Sequence, residues 1–145
     1  MTVRIALEGS KELQAALREA SADVRDAVSK EVVATAIRLR KDVVRSIQRG
    51  PASGRTYRKY QPRRTHQSSA PGQPPMSDTG RLASSIEFDQ IGPLTATVGS
   101  NVVYAVHLEY GTRKMAARPF FRPAVERMRA KFNERLRVAI SGALR

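Results

Sequence analysis

From Leu13 to Arg49 apolar side chains recur at three- and four-residue steps, and no other feature of this 145-residue sequence limits its folding as strongly. Leu17, Ala20, Val24 and Val28 form one set, and Val33, Ile37, Val44 and Ile47 continue it, the spacing of one face of an α-helix. Ser21-Ala22-Asp23 interrupts the run with residues suited to an internal cap, so a short helix and then a longer one are predicted. The run stops at Gly50-Pro51, where Gly accepts a left-handed end and Pro cannot continue the hydrogen-bond ladder.

Ahead of the helices, Val3, Ile5 and Leu7 alternate with Arg4 and Ala6, the pattern of a short half-buried strand that Gly9 ends, with Ser10 placed to cap the first helix. Further on, Asp78 or Thr79 is placed to cap a short helix through Leu82 and Ile86. Ile86, Phe88 and Ile91, then Leu94 to Val98, read as two strands of a hairpin split by Gly92-Pro93. Val102 to Tyr110 is β-rich and predicts a third strand closing at Gly111. After Pro119 and Pro123, the residues Val125, Met128, Phe132, Leu136 and Ile140 have helical spacing, and that face is expected to pack on the sheet. The expected fold class is therefore α+β: an N-terminal strand, a long broken helix, a long basic loop, a small antiparallel sheet and a C-terminal helix. One domain spanning 1–145 is expected, with the loop or arm at 50–77.

That arm is rich in Ser, Gly, Pro, Arg and Gln and shows no period of either kind. Arg55, Arg58, Lys59, Arg63 and Arg64 interleave with Tyr57 and Tyr60, and no acid appears before Asp78. A segment of this charge extends unless something neutralises it. Its cations could meet nucleic-acid phosphates while the tyrosines stack; alternatively the arm folds onto a partner subunit. Few aromatics and no nucleic-acid fold around them favour the protein contact. Ala70-Pro71-Gly72-Gln73-Pro74-Pro75 reads as a stiff spacer before the next helix.

The whole chain carries 26 Lys and Arg against 13 Asp and Glu, a net charge of +13, which suits contact with polyanions or acidic protein surfaces. With no Cys, disulfides and thiolate metal sites are excluded. His66 and His107 do not stand at metal-ligand spacing, so no metal and no cofactor is expected. Asp78, Glu87, Asp89 and Glu109 form no local acid/base pattern and read as solvent-facing charges. Ser68, Ser69, Ser84 and Ser85 lack a nucleophile's glycine frame, and Gly50, Gly54 and Gly72 do not assemble a phosphate loop. The sequence thus nominates no catalytic residue, and an enzyme is not expected. Nor is a signal peptide or membrane partner, since no apolar stretch approaches the roughly 18 to 20 residues that a bilayer requires.

Three pieces in order carry a resemblance. They are Ser69-Ala70-Pro71-Gly72-Gln73-Pro74-Pro75; then Asp78-Thr79-Gly80-Arg81-Leu82 with Ser85-Ile86; then Tyr104-Ala105 and Leu108-Glu109-Tyr110-Gly111-Thr112 leading to Arg118-Pro119-Phe120-Phe121-Arg122-Pro123-Ala124. Together they resemble a family of tailed-phage morphogenesis proteins, the neck or tail-completion components of long-tailed phages, also described as head-tail joining or minor tail proteins. Thr79, Gly80, Leu82, Gly111, Thr112, Pro119, Phe120 and Pro123 have fold-determining parts in this pattern: a cap, a tight turn, and an aromatic pair pinned beneath the last helix. The resemblance implies a structural subunit of the virion, assembled in the host cytoplasm, that forms a homo-oligomeric ring of six copies where head joins tail. Neighbouring neck, head-closure, tail-terminator or tail-tube proteins are the implied partners, with the passing phage DNA as a further candidate. It brings no catalytic residue and no use for Arg55 to Arg64.

Overall fold

A computed structural model of the chain describes residues 3–7 and 11–145. The proposed roles of Gly9 and Ser10 lie outside the described residues. The chain is α+β, with β1 (Val3–Leu7), α1 (Lys11–Glu19), α2 (Ala22–Gln48), β2 (Thr56–Tyr60), β3 (Arg63–Gln67), α3 (Arg81–Ser84), β4 (Ile86–Gly92), β5 (Thr95–Ser100), α4 (Tyr104–Tyr110) and α5 (Arg122–Ala143). The break between the first two helices falls where the sequence puts it: the Ser21 hydroxyl accepts a hydrogen bond from the Val24 backbone N–H at 3.4 Å.

The buried stripe of α2 comprises Val24, Val28, Val32, Ala36, Leu39, Val43 and Ile47. Val33, Ile37 and Val44, which the sequence suggests for that stripe, stand half-buried on its flanks. Valines in adjacent pairs make both registers look apolar, and packing selects the one that runs straight along the helix. This stripe lies on β4 and β5, touches α3, and runs alongside α5. The main contact of α5 is therefore with α2 rather than with the sheet, and its buried residues are Ala124 and Met128. Arg127 of α5 reaches Asp42 of α2 at 2.9 Å across that contact.

The sheet has the order β1-β5-β4, antiparallel throughout, with Val3 opposite Ser100 and Ile86 also opposite Ser100 on the other side. Its third strand is thus β1, not residues 102–110. Residues Tyr104–Tyr110 form α4, with Ala105 and Glu109 buried four apart and Val102 buried just ahead of the helix. Their β-branched and aromatic composition suits a strand, but strand preference depends heavily on context and here one buried helical face outweighs it.

Residues 50–77 also differ from an unpatterned loop. They remain an arm, but its centre is an antiparallel two-stranded hairpin in which Thr56 faces Gln67 and Tyr60 faces Arg63. Gln61-Pro62, joined by a cis peptide bond, forms the connection. Backbone hydrogen bonds from Gly54 N–H to Ser68 O (2.7 Å) and from Ser68 N–H to Arg55 O (3.0 Å) extend the ladder toward the hairpin's base. Neither strand has a buried face, so the sequence carries no alternation of apolar and polar residues to reveal it.

Candidate functional site

The hairpin is held along its length, most closely near its turn, by one carboxylate. Asp78 lies just before α3, and its side chain pairs with Lys59 Nζ, with Arg64 Nη1 at 2.8 Å and with His66 Nδ1 at 3.6 Å. The hydrogen bond from Lys59 holds the Asp78 carboxyl below its ordinary pKa; the charges of His66 and Arg64 act the same way, while burial opposes them. The sequence places Asp78 as a cap for the short helix, but in the structure it anchors the arm instead. Gly80, at φ +80°, occupies the cap position of α3, which has no side-chain cap, and Arg81 N–H donates to Thr79 Oγ1 at 3.4 Å. Leu82 is buried and Ile86 has already entered β4.

Sign matters for how this anchor responds to acid. A carboxyl with a depressed folded pKa stabilises above its ordinary value, and that contribution disappears as pH falls through the lowered one. The hairpin should therefore stay pinned through mild acid and loosen only below about pH 4. Replacing Asp78 by Asn should remove about 1 kcal/mol of local anchoring at neutral pH, modest because solvent screens the partly exposed cations. Amide hydrogen exchange across β2 and β3 should then be roughly fivefold faster than in the wild type, with the rest of the chain unchanged. Equal exchange rates in the two proteins would show that the anchor contributes nothing.

Of the arm residues singled out from sequence, the structure brings Lys59 and Arg64 together on Asp78 and leaves the others facing outward. Arg58 and Arg63 are exposed toward the hairpin's turn, Tyr60 is 71 % exposed, and Tyr57 lies under the Arg55 guanidinium at 5.8 Å. A cleft of about 370 Å³ opens between the hairpin root and the α3–α4 region, with Asp78, Ser69, Leu108 and Arg118 among its walls. The Pro-rich spacer is fixed beside it by Gly72 N–H to Ala117 O at 2.8 Å and Arg118 Nε to Ser69 O at 3.2 Å.

A second constellation is not legible in the local sequence pattern. Glu109, expected to face solvent, is only 5 % exposed. Its carboxylate accepts three backbone N–H bonds, from Phe120 (2.8 Å), Phe121 (2.9 Å) and Arg122 (2.8 Å). The start of α5 has no side-chain cap of its own, and Pro123 has no N–H to satisfy. A side chain from α4 thus supplies the cap, and its charge sits at the positive end of a 22-residue helix. This seats Phe120 and Phe121, both 1 % exposed, with ring centroids 5.0 Å apart.

Gly111, at φ +77°, ends α4, and a Cβ there would come within 2.9 Å of the Ala117 backbone, so only Gly fits the return. Thr112 closes that return by a two-way backbone bridge with Met115. Pro119 is half-buried ahead of the aromatic pair.

Among the described residues no group of His, Cys, Asp and Glu could hold a metal, and no helix is long and apolar enough to cross a membrane. Ser85 donates to Leu82 O at 2.7 Å and pairs with Ser100 at 2.7 Å, as befits a structural hydroxyl. The arrangement offers an anchored, projecting hairpin on a scaffold locked by Glu109.

No match was found among curated proteins, and none among solved structures. Residues 8–111, a span that holds the long helix, the hairpin, Asp78, Glu109 and Gly111, match the HK97-gp10-like family described as "Bacteriophage HK97-gp10, putative tail-component". Most of the chain lies inside that match, and the chain belongs to the HK97-gp10-like family of phage tail components.

Proposed function

We propose that this tail component is a structural subunit, not a catalyst, of a ring at the joint between head and tail, six copies around, in which each hairpin straps onto the next subunit. In this reading residues 1–145 act as one unit and the arm at 50–77 is its assembly element. The observation that carries it is the hairpin itself, pinned by Asp78 through Lys59 and Arg64 and exposing Tyr60, with Arg58 and Arg63, at its turn. Tyr and Arg are the residues that most often dominate binding at protein interfaces. A ring contact is heterologous and needs two different patches on each copy. The hairpin is one; Val103 and Tyr110, exposed at the two ends of α4, are candidates for the other.

The subunit would assemble in the host cytoplasm and remain in the neck or tail of the virion, against neck, head-closure, tail-terminator or tail-tube proteins. Native mass spectrometry of the purified chain, alone and with its neck partners, should give a closed ring of six. A chain that stays monomeric under every assembly condition would overturn the proposal.

A further inference from the structure

We infer that the C-terminal half of α2, together with the start of α3, forms a groove for the sugar-phosphate backbone of nucleic acid, separate from the hairpin. The groove has a volume of about 530 Å³ and is lined by Arg40, Lys41, Arg45 and Arg49, with no acid among its walls. Lys41, Arg45 and Arg49 stand at four-residue steps on one side of the helix, about 6 Å apart along its axis. All three are exposed, and none forms an ion pair among the described residues. Arg40 is held in place by a bond from its Nε to Ile86 O at 2.8 Å. Gln48 and Ser77 add neutral donors of the kind that bond phosphate oxygens. Asp42, the neighbour of Lys41, is turned away onto Arg127.

Three plainer readings explain less. Cations near a helix C-terminus complement its dipole, which accounts for Arg45 and Arg49 but not for Arg40, Lys41 or the concave shape. A second copy of the chain is a weaker source of counter-charge than a polyanion. Residues 32–77 hold ten Lys and Arg against one Asp, and the rest of the chain holds sixteen against twelve Asp and Glu, so every copy added brings more positive charge. An acidic protein segment would draw its affinity from aromatic or large aliphatic anchors. The groove offers only Val44 and Ala83, which favours a ligand that is all charge. With no aromatic to stack a base, the contact would be independent of sequence.

The test is fluorescence anisotropy of the full chain with a short labelled DNA duplex, titrated over rising NaCl. Two variants remove the same three charges from different places: Lys41→Gln/Arg45→Gln/Arg49→Gln in the groove and Arg55→Gln/Arg58→Gln/Arg63→Gln on the hairpin. All six residues are exposed, so both variants should keep the wild-type circular dichroism spectrum. The expected result is that the slope of log affinity against log salt becomes shallower by about 3 in the groove variant, near 0.9 for each phosphate no longer neutralised, and stays at the wild-type value in the hairpin variant. An unchanged slope in the groove variant, a loss confined to the hairpin variant, or binding of polyglutamate but not DNA by the wild type would each overturn the inference. The ring proposal is read separately, by the mass of the same groove variant, so either idea can fail without the other.

Discussion

Replacing Glu109 by Ala is expected to lower the stability of the chain by about 3 kcal/mol and its melting temperature by about 10 °C. The carboxylate satisfies three backbone donors at once, and Ala leaves all three, two of them fully enclosed, without a partner. The loss also removes a negative charge from the N-terminus of α5 and frees the segment that seats Phe120 and Phe121. Gln should restore only part of the stability, because its single carbonyl cannot serve both sides and its amide would point N–H at N–H. Thermal unfolding monitored by circular dichroism checks both variants. A melting temperature for Glu109→Ala within a degree or two of the wild type would mean that the cap is dispensable.

Tyr60→Ala should leave the subunit folded and abolish the closed ring. The side chain is exposed in the single chain, so truncation costs almost nothing there. At an interface a buried Tyr typically contributes about 2 kcal/mol, close to a thirtyfold weakening of each joint. In a ring every joint carries the same lesion, so the effect multiplies around the circle. Sedimentation velocity should show monomers and short open chains in place of one closed species, with an unaltered melting temperature. A wild-type distribution would remove Tyr60 from the assembly contact.

The elements that can be read from sequence are those whose burial is written in a repeating pattern. The break at Ser21, the end of α2 before Gly50-Pro51, the hairpin around Gly92-Pro93 and the helix after Pro123 each combine a periodic apolar run with a turn or cap residue. β2 and β3 carry no such record, because both of their faces meet solvent and the strands pair through polar residues such as Thr56, Lys59, Arg64 and Thr65. α4 reads wrongly as a strand because Val102, Val103, Tyr104 and Val106 are individually strand-formers, and only the burial of Val102, Ala105 and Glu109 at steps of three and four gives the helix away.

The mistaken exposure of Glu109 has the same root. Once 104–110 is a helix, Glu109 falls on the same face as Ala105, and a buried acid there requires donors. The sequence also holds the complementary clue: Arg118-Pro119-Phe120-Phe121-Arg122-Pro123 starts a helix without any Ser, Thr, Asp or Asn to cap it. An uncapped helix start and an unpaired acid on a helical face predict one another. Asp78 shows the same logic at the arm, where the first acid after a cationic stretch marks the point at which that stretch is tied down.

The strap contact is tested most directly by placing a photo-crosslinking residue at position 60 and irradiating assembled phage particles. The account predicts a ladder of covalent multiples of this chain that ends at six. Label that stays on single chains, or that joins this chain only to other virion proteins, would contradict it.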